Sequence, residues 1–130
     1  MALNPLLDSR DLRFALFEVL DADKFNQYEK FADFDRDTYE ATLELAEQIA
    51  VEQVYPANKE ADKIGAKYDA ATKTVAVPEG FHTAMKSYVE AGFSGLSNGQ
   101  EFGGTGMPET IYRAVMEYFC SAGVAFSSYD

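Results

Sequence analysis

Apolar positions in the first part of the chain recur every three or four residues, which predicts an amphipathic helix over residues 8–20. Asp8 stands where a helix N-cap is expected, because its carboxylate can accept a hydrogen bond from the first turn. Phe14 and Phe17 broaden the apolar face. The predicted face consists of Leu12, Ala15, Leu16 and Val19.

Residues 21–35 form a polar stretch with spaced aromatic side chains. It lacks a sustained apolar period, so we expect a connector with one or two helical turns. The strongest helix is predicted to begin after it, at Asp37. Asp37 and Glu40 are three residues apart and resemble a capping box, with Asp in place of Ser or Thr.

The long helix carries a near-heptad apolar stripe: Tyr39, Leu43, Ala46, Ala50, Gln53, Ala57 and Ala61, flanked by Ile49 and Val54. Pro56 interrupts it. A proline inside a helix removes one backbone hydrogen bond, so we expect a kink or short break there. Gly65 is expected to end the helix, because glycine readily adopts positive φ.

The chain changes character between residues 66 and 77. A turn-like Asp69–Thr72 segment is followed by β-branched residues, which predicts a small hairpin or extended loop near 68–77. Pro78 suits the first turn of the next helix, which should stop at Gly92. Its predicted apolar face is Phe81, Ala84, Met85, Tyr88 and Val89.

Five glycines between Gly95 and Gly106 predict a loop, and Pro108 opens the last helix. The apolar face of that helix is Ile111, Val115, either Tyr118 or Phe119, and Ala122. Gly123 should bend the helix or separate it from a following one. The order of elements predicts an all-α domain, a helical bundle with one small hairpin.

The charge and composition of the chain exclude several classes of function. The formal net charge of −11 argues against nucleic acid and anionic membranes as partners, because both need a basic face. No apolar run is long enough to span a bilayer. The N-terminus lacks the basic start and apolar stretch of a signal peptide, and the single cysteine permits no internal disulfide. These features favour the cytoplasm.

Two spacings suggest ligand sites. The Gly103–Gly106 loop precedes a helix, an arrangement that can cradle phosphate, but neither the Walker nor the dinucleotide-binding pattern is present. A tight turn requiring positive φ is the favoured interpretation. Asp33, Asp35, Asp37 and Glu44 match a calcium-loop spacing, although Thr38 stands where the sharp turn needs glycine. A capped helix start is favoured, and no metal site is expected.

The single histidine and the single cysteine do not indicate a catalytic site. His82 has no second histidine or cysteine for a metal site, so a structural or exposed role is favoured. Cys120 is expected to be a small buried core residue rather than a nucleophile. No catalytic residue is identified, which indicates a binding module or a piece of a larger protein.

Three stretches resemble the N-terminal helical domain of acyl-CoA dehydrogenases, over residues 39–129. They are AEQIAVEQVYPANKEADKIG, EAGFSGLSNGQEFGGTGMP and AVMEYFCSAGVAFSSY. The second is similar to the family's glycine-phenylalanine step and acidic-aromatic-Gly-Gly turn. It departs from the family in having Asn98-Gly99-Gln100 where a proline is common.

The segment NPLLDSRDLRFALFEVLD resembles an added helical leader of a long bacterial subgroup of the family, similar to 3-methylmercaptopropionyl-CoA dehydrogenase. We therefore divide the chain into an N-terminal leader, residues 1–36, and a helical domain, residues 37–130. The same fold also occurs in alkylation-response flavoproteins. A non-catalytic helical interaction module is the other alternative.

The resemblance implies a three-part flavoprotein that converts an acyl-CoA thioester to a 2-enoyl-CoA. FAD and the catalytic glutamate would lie in β and C-terminal domains absent from these 130 residues, so the fragment would be inactive alone and its cofactor-binding residues, if any, are unknown. The implied partners are acyl-CoA, an electron acceptor and further copies of the enzyme in a homo-oligomer.

By the same resemblance, the segment after the glycine bend forms one wall of the acyl pocket. The matching residues are Val124, Ala125, Phe126 and Tyr129. The two bulky rings would shorten the cavity and favour a short or compact acyl group. The alternative is that they are core aromatics.

Overall fold

The fold is all-α, as predicted. A computed structural model describes residues 4–128. Within them lie helices α1 (Ser9–Phe14), α2 (Arg36–Ile49), α3 (Tyr55–Ile64), α4 (Glu79–Glu90), α5 (Glu109–Ala122) and α6 (Val124–Ser127), with strands β1 (Lys67–Asp69) and β2 (Thr74–Ala76). Along these residues, no helix combines the length and apolarity needed to cross a bilayer.

The leader begins as predicted, with Asp8 accepting hydrogen bonds from the backbone N–H groups of Arg10 (2.9 Å) and Asp11 (3.3 Å). Helix α1 continues as a π-helical turn over Ala15–Val19. The prediction that Ala15 and Val19 face the core is wrong, because both are exposed. The buried face is centred on Leu12, Leu16 and Phe17, and the wider π turn rotates Val19 away from it.

The connector contains two 3₁₀ turns, Ala22–Gln27 and Glu29–Phe31, which confirms the predicted helical turns. Ala22 is fully buried, and Phe25 and Phe34 pack against the core. The connector therefore lies on the bundle rather than standing free of it.

Helix α2 begins one residue earlier than predicted. Asp35, not Asp37, is the N-cap: its carboxylate accepts hydrogen bonds from the backbone N–H of Thr38 (2.8 Å) and from its hydroxyl (2.6 Å). The proposed Asp37–Glu40 capping box is therefore wrong. Asp37 occupies the first turn, where its charge favours the helix dipole.

The predicted break near Pro56 is present. A π-helical turn over Ala50–Val54 separates α2 from α3, and Pro56 lies in the first turn of α3. That position tolerates the missing N–H. Helix α3 ends at Ile64, and Gly65 follows with φ of +70°, as its predicted capping role requires.

The hairpin pairs β1 and β2 antiparallel, with Tyr68 opposite Val75, and confirms the prediction for residues 68–77. Its six strand residues are all exposed. Helix α4 buries Ala84 and Tyr88, but the prediction that Met85 and Val89 are also buried is wrong. The buried face of α4 is therefore narrower than the predicted apolar face.

Helix α2 packs on α5, and the π turn at 50–54 contacts both α4 and α5. The core between these elements is rich in aromatic rings. Tyr88 meets Phe119 edge to face with ring centroids 4.8 Å apart, and Phe93 lies against both. Both Tyr118 and Phe119 are fully buried, so the apolar face of α5 includes the two of them.

Candidate functional site

Gly123 separates α5 from α6, as the sequence predicts. Its backbone is extended (φ −178°, ψ 107°) and lies against Asn58 of α3, where an added Cβ would fall 2.9 Å from the amide oxygen. A larger residue would push the bend away from α3. The bend therefore fixes where α6 begins.

The predicted pocket residues divide into two groups on α6. Val124 is 67% exposed and Ala125 is also exposed, whereas Phe126 is 5% exposed. The fourth predicted residue, Tyr129, lies outside the described residues. The exposed pair offers apolar surface without any group able to transfer a proton.

Phe126 lies in the aromatic core. Its ring stacks on Phe81 at 6.3 Å and on Phe119 at 6.2 Å, and it meets Tyr88 edge to face at 5.8 Å. These three contacts tie α6 to α4 and α5. Phe126 therefore holds the short helix from behind while Val124 and Ala125 face outward.

The glycine loop is a hydrogen-bonded turn. Gly103 and Gly106 have φ of +81° and +80°, which matches the predicted need for positive φ. Several of its backbone N–H groups already donate within the loop, among them those of Thr105 to the Gly95 carbonyl (3.0 Å) and of Met107 to the Leu96 carbonyl (2.9 Å). With these donors occupied, the geometry favours the tight-turn interpretation over a phosphate cradle.

A polar cluster that sequence reasoning missed joins the leader to the bundle. Arg13 contacts Glu40 at 2.6 Å and donates to the Tyr118 hydroxyl at 3.3 Å. Tyr118 donates to Glu47 at 3.3 Å. Asn4 and Ser9 also donate to Glu47, at 2.7 and 2.8 Å. The partners lie 27 to 105 residues apart, so local spacing carries no signal of the cluster.

Burial and charge act together in this cluster. Burial by itself lowers the pKa of Arg13, but the hydrogen bonds to Glu40 and Tyr118 outweigh it and raise the pKa. Burial raises the pKa of Tyr118, although Ser9 and Arg13 lower it in part. Both side chains therefore keep their ordinary protonation states at neutral pH, and the cluster is structural.

The other candidates have no site around them. His82 is exposed. The prediction that Cys120 is buried is wrong: it is exposed, and the hydroxyl of Ser127 donates to its sulfur at 3.3 Å. Across residues 4–128, no three His, Cys, Asp or Glu side chains come together in a way that could hold a metal ion.

No family model matches the chain. Several individual proteins have similar sequences. The chain is 32% identical over 120 residues to a broad-specificity linear acyl-CoA dehydrogenase of Mycobacterium tuberculosis, with 92% of the chain matched. It is 28% identical over 117 residues to a 3-methylmercaptopropionyl-CoA dehydrogenase of Ruegeria pomeroyi, and 30% identical over 124 residues to a butyryl-CoA dehydrogenase of Syntrophomonas wolfei.

The chain spans about one fifth of the length of each of these relatives. Each match covers 90% or more of the chain, so most of the 36-residue leader must lie inside the matched region. Most of the leader is therefore shared with these relatives, in keeping with its resemblance to the long subgroup.

Proposed function

The chain is related to acyl-CoA dehydrogenases over about nine-tenths of its length, and we propose that it is the N-terminal helical domain of a full-length enzyme of this kind. The full-length protein would remove hydrogen from the α and β carbons of an acyl-CoA thioester and give a 2-enoyl-CoA. The proposal rests on the sequence similarity of the chain to three acyl-CoA dehydrogenases whose names give different substrates.

The proposed activity needs FAD, which accepts a hydride from the β carbon when it is bound. Three grooves on the described surface do not fit it. The groove around Asp8, Arg13 and Arg36, the one around Ser97 and Glu109, and the one between α3 and α4 are open and partly lined by charged side chains. None encloses a flat ring system. We assign the flavin, the electron acceptor's site and the catalytic base to the rest of the enzyme.

The proposed contribution of this domain is one wall of the acyl pocket, formed by α6. Val124 and Ala125 present exposed apolar surface, which an acyl chain can cover with gain of hydrophobic free energy. The buried ring of Phe126 would position α6 rather than touch substrate. Tyr129 remains a proposed wall residue.

Flavin and substrate test the overall proposal. The full-length protein should purify yellow, its visible flavin absorption should bleach when acyl-CoA is added without oxygen, and 2-enoyl-CoA should form. The 130-residue chain should be colourless and inactive. A full-length protein without flavin, or one whose flavin no acyl-CoA reduces, would contradict the proposal and favour a helical interaction module. Sedimentation of the same protein tests the expected homo-oligomer.

Chain-length specificity tests the wall. In the full-length enzyme, Ala125→Phe should lower kcat/KM for longer acyl-CoA by about fourfold for each methylene group that the new ring excludes. Short substrates should be little affected. Ala41→Phe, at an exposed position on α2, is the matched control. If Ala125→Phe lowers kcat/KM equally for acyl-CoA of every chain length, α6 does not line the acyl pocket.

A further inference from the structure

Phe102 is the most exposed large apolar side chain among residues 4–128, at 82%. It ends a 3₁₀ turn, Gln100–Phe102, and Gly103 follows in the left-handed conformation. At this exposure most of the ring surface meets water, and covering it would gain hydrophobic free energy. The segment therefore presents Phe102 outward instead of packing it.

The loop that carries Phe102 is fixed on both sides. The backbone N–H of Phe102 donates to the Gly99 carbonyl (2.9 Å), and that of Gly104 donates to the same carbonyl (3.2 Å). Gly104 lies against Asn98 so closely that no Cβ fits. Leu96 and Met107, at the base of the loop, are buried in the core. The exposed ring thus sits on a preorganised support, which lowers the entropy cost of binding.

The surroundings of the ring restrict its partner. Glu101 is exposed beside it, and the same loop borders a groove through Ser97 and Asn98 that also includes Glu109. A partner must offer an apolar pocket with a basic rim. A second copy of this domain fits poorly, because each copy has a net charge of −11.

We propose that Phe102 is an anchor that inserts into an apolar, basic-rimmed pocket on the part of the full-length dehydrogenase outside these 130 residues. The inference rests on the proposed function, since the relatives are about five times as long as this chain. Buried aromatic anchors on rigid supports dominate the energy of such interfaces.

Photocrosslinking in the full-length protein identifies the occupant. Phe102 is replaced by p-benzoylphenylalanine, and Tyr68, an aromatic residue 68% exposed on the hairpin, is replaced in a parallel control. The expected product from position 102 is a crosslink within one polypeptide to a residue beyond 130. A crosslink between two copies of residues 1–130, or no crosslink at all, would overturn the inference.

A second variant measures the energy of the contact. Phe102→Ala should lower the thermal midpoint of the full-length protein by a few degrees and leave the midpoint of the 130-residue chain unchanged. Equal effects in both would show a role inside the domain and contradict the anchor. Wild-type activity on acyl-CoA is measured separately. An inactive protein with the expected crosslink overturns only the proposed function, and an active one without it overturns only the anchor.

Discussion

Tyr118 accepts a hydrogen bond from Arg13, a residue 105 positions earlier, at 3.3 Å. The contact joins the leader to α5 through a buried ring whose hydroxyl also donates to Glu47. A second tyrosine in the same core, Tyr39, is fully buried, but its hydroxyl has no hydrogen-bond partner within the described structure. The two phenols therefore offer a matched comparison of a satisfied and an unsatisfied buried hydroxyl.

Tyr118→Phe should destabilise the chain by about 1–2 kcal/mol, because it removes hydrogen bonds to two charged groups. Tyr39→Phe should be neutral or stabilising by up to about 1 kcal/mol, because it removes a hydroxyl that was desolvated without compensation. Urea unfolding of the two variants measures both values. Similar losses for the two would show that the Tyr39 hydroxyl has a partner, such as a buried water.

Coupling between Arg13 and Glu40 is expected to be measurable. Their side chains are 23% and 24% exposed, and their 2.6 Å contact is only partly screened by solvent. A double-mutant cycle with alanine at each position should give a coupling of about 0.5–1 kcal/mol that decreases with salt. The Asp21–Lys24 pair, which is more than half exposed, should show no measurable coupling. Equal couplings would contradict this account.

Asp35 should make stability depend on pH in the acid range. The hydrogen bonds from the side chain and backbone of Thr38 lower the pKa of Asp35 in the folded state. Its contribution is therefore complete above the unfolded pKa and is lost as the pH falls through the lower folded pKa. Asp35→Asn keeps a capping oxygen but cannot titrate, so it should flatten this part of the curve. An Asn variant with the wild-type pH profile would exclude Asp35 as the cause.

The two sides of α6 should differ sharply in stability. Phe126→Ala should cost about 3–5 kcal/mol, because it leaves a cavity among three aromatic rings. Val124→Ala should change stability by less than about 0.5 kcal/mol. If the alanine variant of Phe126 does not fold, Phe126→Leu gives a smaller loss in the same direction. A mild effect at Phe126 would argue against its role in holding α6.

The glycine loop provides a further comparison. Gly103→Ala should cost about 1 kcal/mol from its left-handed backbone alone, since nothing lies within 4 Å of the added Cβ. Gly104→Ala should cost about 1–3 kcal/mol, because its Cβ would collide with the backbone of Asn98 and force the loop to move. Thermal unfolding of both variants measures the difference. A harmless Gly104→Ala would show that the loop is less rigid than its hydrogen bonds indicate.

Local spacing predicted the elements whose neighbours in space are also neighbours in sequence. The α2 stripe, the interruption at Pro56, the hairpin and the bend at Gly123 all follow from periodicity and from backbone restrictions of proline and glycine. The capping residue of α2 was misplaced because Asp35 and Asp37 both suit a helix start. Only the backbone shows that Asp35 is the residue with extended φ and ψ before the helix.

The features that were not predicted depend on contacts between residues far apart in the sequence. Met85 and Val89 complete an apolar stripe on α4, but no element within residues 4–128 covers that side of the helix, so they are exposed. The division of α6 into an outward pair and an inward Phe126 depends on the bend angle at Gly123. The cluster around Arg13 depends on which helices meet. Neither can be read from residue spacing.

The π-helical turn at residues 50–54 also has an evolutionary consequence. Such a turn holds one residue more than an α-helical turn, because its hydrogen bonds span five positions instead of four. A single inserted codon can create it, and a single deletion can restore a continuous helix, without altering the packing of either end. A relative that lacks the extra residue should have a continuous α-helix here and a one-residue alignment gap, with the α2–α5 and α3–α4 contacts unchanged.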